Sequence, residues 1–210
     1  MIRACAVVLC LLLVGTPCSA RTVTFAISAQ YHGGISLNLG HVGDTTLTFE
    51  PIRDGAVHVS GTGLVKHPRD AGKVYTFGLD ETFRVEGNWV RVVESRNTSN
   101  ELGRELLGRI EQLMPFLHVC TRMRAGPVPL QRWFYTRKGL LGVTAEQTKS
   151  GLEVRVENGP HPFVTFTVRT GPDGLAALER FRVFTDGGVT LEFVADRPLA
   201  FAELAGGHGD

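Results

Sequence analysis

The sequence predicts a mainly β protein, a curved antiparallel meander sheet or half-barrel packed on a single amphipathic helix. Short β-branched and aromatic runs repeat from Thr22 to Val194. Turn-forming stretches such as Asp54-Gly55, Gly87-Asn88, Ser150-Gly151, Asn158-Gly159 and Asp186-Gly187-Gly188 separate them, supplying residues that tolerate positive φ. Against this background one stretch, 101–114, has convincing helical spacing of its apolar residues.

The chain opens on a different pattern. Arg3 precedes an apolar run of eleven residues, Ala4 to Val14, followed by Gly15, Pro17 and the small residues Cys18-Ser19-Ala20. This is the order of a cleaved secretory signal, and the run is shorter than the roughly 17 to 25 residues that cross a bilayer. Residues 1–20 are therefore expected to be removed, 21–204 to form a single β-rich domain, and 205–210 to be a flexible tail. No transmembrane segment is expected, and the mature chain is placed outside the cytoplasm, secreted or periplasmic. Its charge becomes 21 basic against 21 acidic residues, a balance that argues against a nucleic-acid partner. Of the four cysteines, Cys5, Cys10 and Cys18 leave with the signal. Cys120 alone remains, no intramolecular disulfide can form, and stability must come from a core.

From Arg21 onward the expected strands are 22–30, 34–39, 45–50, 56–66, 73–86, 88–95, 117–124, 130–137, 140–148, 151–157, 162–170, 175–185 and 188–195. Tight turns between successive strands make them antiparallel neighbours, so the simplest topology is a meander. In 151–157, Leu152, Val154 and Val156 share one face while Glu153, Arg155 and Glu157 share the other. Such alternation gives each strand one dry face, which must be covered or curled upon itself. The glycines of Gly61-Thr62-Gly63, inside a strand pattern, predict a bulge.

The helix supplies the cover. Leu102, Leu106, Ile110 and Leu113 form one stripe, widened by Leu107 and Met114. Thr98 and Glu101 have capping-box spacing, Glu105 and Arg109 an i,i+4 pairing, and Pro115 marks the stop. Each buried apolar side chain is worth roughly 1.5–3 kcal/mol, against a few tenths for the ion pair, so docking holds the helix. Gly103 and Gly108 each lower its propensity by about 1 kcal/mol, a weakness that suits a lid.

Searches for chemistry return little. There is no nucleophile elbow, zinc-protease helix motif, phosphate loop, dinucleotide fingerprint or paired Cys-x-x-Cys, and no cofactor or metal is expected. His118 and Cys120 share a strand face, which offers a nucleophile and base, although an unpaired thiol beside Val119 reads more simply as buried. Glu81 has the parity of Phe77, Leu79 and Phe83, so a regular strand would turn a carboxylate into the apolar side, whereas a bulge at Asp80-Glu81, the reading preferred here, would return it to water. Asn97-Thr98-Ser99 is an N-glycosylation sequon. Residues 118–138 carry five bases and no acid. Within that run, Arg122, Arg124, Arg132 and Arg137 are a candidate surface for an anion or an acidic partner; the plainer reading pairs them with acids from the C-terminal third.

In outline this architecture resembles bacterial periplasmic carriers of lipoproteins and lipids, in which a helical lid covers a half-barrel. The resemblance implies a lipid or other apolar ligand between sheet and helix, contacted by Leu106, Ile110, Leu113, Phe77 and Glu81. The alternative is an envelope or extracellular interaction protein with a filled core. A hydrolase-like enzyme using Cys120 and His118 comes third.

Overall fold

The computed structural model describes residues 20–33, 35–52, 56–67, 70, 72–86, 89–110, 130–136, 139–149, 151–157, 162–170, 176–185 and 188–200. In chain order the strands are β1 (Arg21–Gly33), β2 (Ile35–Pro51), β3 (Ala56–Lys66), β4 (Val74–Glu86), β5 (Trp89–Ser95) and the two-residue β6 (Thr98–Ser99). A helix, α1, is described over 103–110. Then follow β7 (Leu130–Thr136), β8 (Gly139–Thr148), β9 (Gly151–Glu157), β10 (Pro162–Thr170), β11 (Ala176–Phe184) and β12 (Val189–Ala200).

All twelve strands belong to one sheet. Eleven follow one another as an antiparallel meander, β7 to β12, then β1 to β5, and β6 flanks β4. The first and last strands meet where β1 pairs with β12, Phe25 opposite Ala195. The sheet is open: among the described residues its two end strands, β5 and β7, touch through one parallel bridge, Trp89 opposite Tyr135. Parallel neighbours need a crossover connection, and the chain between them carries α1.

Alternation places the core. Val23, Phe25, Ile27 and Ala29 of β1, Val57 and Val59 of β3, Leu141 and Val143 of β8, and Val154 and Val156 of β9 are all buried. They join Leu106, Leu107 and Ile110 of α1 in one apolar cluster. Phe181 links neighbouring strands within it, edge-on to Phe25 with ring centroids at 5.3 Å and stacked on Phe193 at 4.3 Å.

The expected strands 34–39 and 45–50 are one strand of 17 residues. Gly40 adopts φ 75°, its amide donates to Asn38 Oδ1 at 2.9 Å, and the β1–β2 register shifts beside it. The left-handed residue thus bends the strand where a break was expected. Strand β12 runs on to Ala200 past Pro198, and its pairing with β11 skips from Val194 to Leu199. Proline lacks an N–H, and the skipped stretch is where none is used.

Gly61 and Gly63 are no bulge, because β3 keeps an unbroken register with both β2 and β4. A side chain at Gly61 would collide with the Thr46 carbonyl, and one at Gly63 with the Phe77 ring. The glycines give room rather than curvature. The expected strand 117–124 and the 205–210 tail lie outside the described residues.

Candidate functional site

The interior beside α1 is the candidate site, and among the described residues β4 supplies its one buried carboxylate together with three of its apolar side chains. Phe77, Leu79, Glu81 and Phe83 are successive inward positions, all buried. Glu81 lies opposite Val59 in the unbroken β3–β4 ladder. The carboxylate expected from parity is therefore inside, at 3% exposure. The pairing shift in β4–β5 falls just after it, between Thr82 and Phe83, and does not return it to water.

Burial of a carboxylate needs donors. Asn97, in the short link between β5 and β6, provides one: its Nδ2 donates to Glu81 Oε2 at 3.0 Å. The same side chain accepts the Asp80 amide through Oδ1 at 2.7 Å. One amide thus ties the backbone of β4 to the interior carboxylate. On the outer face, His58 of β3 places Nε2 2.9 Å from Asp80 Oδ1 and Nδ1 3.7 Å from Glu50 Oε2. Both ring nitrogens face carboxylates, which positions His58 as a cross-strand tie. Sequence reading missed this trio because Glu50 lies opposite His58 across one ladder and Asp80 meets it diagonally across the next, and register is needed to see either contact.

Asn100, and not Thr98 with Glu101, caps α1. Its Oδ1 accepts the Gly103 amide at 2.7 Å and the Thr76 amide at 3.1 Å, while Nδ2 donates to the Val74 carbonyl at 2.7 Å. Thr98 instead pairs with Gly78 in β6. The cap therefore fastens the first turn to β4 as well as satisfying the helix. Gly103 has a matching reason: any Cβ there would strike the Thr76 carbonyl oxygen. Its low propensity is the consequence of close backbone approach, and Gly103 no longer argues for a lid.

Beyond the cap, Leu106, Leu107 and Ile110 enter the core, whereas Leu102 remains exposed at the rim. Glu105 and Arg109 form their pair at 3.1 Å. The Tyr75 phenol has its pKa raised, first by burial and then by the Glu105 carboxylate above it. The structure thus brings together Phe77, Glu81, Leu106 and Ile110 in one interior.

Leu113, Arg122, Arg124, Arg137, His118 and Cys120 lie outside the described residues. Arg132 falls on β7 opposite Val143. Among the described residues, no three His, Cys, Asp or Glu side chains converge as metal ligands. No helix among them is long and apolar enough to cross a membrane.

No protein-family profile matches the chain, and no curated protein is significantly similar to it in sequence.

Proposed function

We propose that this is an exported β-rich binding or carrier protein that holds a lipid or other apolar ligand between the curled sheet and α1. The observation that carries the reading is the seam. The wall of eleven strands is held by long ladders except at β5 and β7, which among the described residues are joined by a single bridge. The segment that crosses from one side to the other carries the helix whose apolar side chains complete the interior. A place to open and an apolar inside are what uptake of such a ligand requires. Glu81, with Asn97, adds a buried carboxyl group to a mostly apolar lining, which would orient a ligand with a polar end.

A second reading has its own support. The close fit of Gly103 on Thr76, with Leu106, Leu107 and Ile110 buried, suits a permanent core element in an envelope interaction protein with no ligand. Hydrogen exchange separates the two. In a carrier the amides of 104–110 exchange well before those of β9, because local opening costs less than global unfolding. Ile110→Ala then costs little in denaturant melts but weakens binding of a fluorescent fatty acid. Protection equal to that of β9, with a loss of roughly 2–5 kcal/mol on Ile110→Ala, would establish the filled-core alternative.

A further inference from the structure

The outer face at the seam carries an aromatic surface that the sequence reading did not single out. The protein has two tryptophans, and both are there: Trp89 on β5 is 53% exposed and Trp133 on β7 is 50% exposed. Trp89 stacks on Tyr135, ring centroids 4.7 Å apart and planes 24° from parallel. Tyr135 lies opposite Leu140 in the β7–β8 ladder, and both are nearly half exposed. Trp133 lies opposite Gly142, where an added Cβ would meet three atoms of its six-membered ring at 3.1–3.5 Å. That ring lies against the glycine, and half of the side chain remains exposed. Four large side chains from three strands therefore form one platform. Of the other exposed apolar residues, Val93 is on β5 as well, whereas Leu37, Ile52, Leu64 and Val194 sit on β2, β3, the link between them or β12, and single ones call for no explanation.

Charge indicates what the platform meets. The segments that carry it, 84–91 and 133–140, hold four bases and one acid, in a chain that is close to neutral. Among the described side chains, Arg91 stands on the same strand as Trp89 at 65% exposure, bonded to Glu86 at 3.1 Å. Tryptophan and tyrosine gain most where one part of the ring system is dry and its polar tip is wet, and bases add attraction to anionic headgroups. A second copy of this chain would bring the same excess of bases against itself.

We propose that this platform docks the protein on an anionic lipid surface, with Trp89, Trp133, Tyr135 and Leu140 entering the headgroup region. The docking stands whether or not the interior holds a ligand. Both tryptophans report from the platform, so intrinsic fluorescence reads it directly.

The test mixes the protein with vesicles of phosphatidylcholine containing about 30% phosphatidylglycerol, and with phosphatidylcholine alone. Docking gives a blue shift and quenching by brominated acyl chains on the anionic vesicles, both reduced at about 0.5 M salt, where the charge attraction is screened. Trp133→Ser and Trp89→Ser should each weaken partitioning about tenfold, with melting temperatures unchanged. Quenching in the parent protein needs no variant, so a variant that fails to fold leaves the test intact. Absence of quenching overturns the proposal. So does vesicle binding that both substitutions leave unchanged, which would place the contact elsewhere in the chain. A blue shift that follows protein concentration without vesicles overturns it in favour of self-association.

Discussion

Asn97 connects two environments that a strand normally keeps apart. Asp80 and Glu81 are neighbours on β4 with opposite orientations, and one side-chain amide bonds to the backbone of the first and the carboxylate of the second. Asn97→Ala leaves the buried carboxylate without that donor, and a hydrogen bond to such a group is worth about 1.5–3 kcal/mol. We expect a loss of that size in chemical denaturation. Ser99→Ala destroys the same glycosylation sequon at an exposed position and should stay within about 0.5 kcal/mol of the parent. Equal losses for the two would show that the sequon, not the hydrogen bonds, matters. Parity put Glu81 on the apolar side only if β4 ran without the bulge preferred from sequence, and the unbroken β3–β4 register decides for the inward place. Its partner was not readable, since Asn97 lies 16 residues away in a link with no period of its own.

The attachment of α1 shows why local rules recognised this helix but misjudged its start. Apolar spacing identified Leu106, Leu107 and Ile110 correctly, because burial follows the helical period. The capping-box spacing at Thr98 was met by chance, since Thr98 is committed to β6 and Asn100 does the capping. Gly103 gives a test whose sign decides. On propensity alone, Gly103→Ala should stabilise by about 1 kcal/mol. Against the Thr76 carbonyl it should destabilise by roughly 1–3 kcal/mol in thermal or denaturant melts. A gain would mean that the helix backbone does not rest on β4. The strands were more legible than the helix start, and β3 and β10 match their expected limits. The two misjudged strands share one cause, since Gly40 and Pro198 are punctuation marks that β2 and β12 absorb as distortions.

Across the whole molecule, the curled meander followed from alternation and turns, while the seam did not. No local signal predicts that Trp89 meets Tyr135 across 46 residues, so the aromatic platform emerged only from the assembled sheet. Export remains a sequence proposal with a direct check: N-terminal sequencing of protein recovered outside the cytoplasm should begin within a few residues of Arg21, and an intact Met1 there would refute it. The pairing of β1 with β12 bears on that proposal. The first strand of the folded wall has one of its two neighbours at the far end of the chain. While the polypeptide emerges in order, that edge of β1 has no partner until Val189–Ala200 has arrived. The wall is finished last where it began, and the ladder that completes it joins residues separated by most of the chain, the kind of contact that slows folding. A protein built this way is held back from its final form until all of it has been delivered, which is the condition under which a chain threads through a narrow channel unfolded.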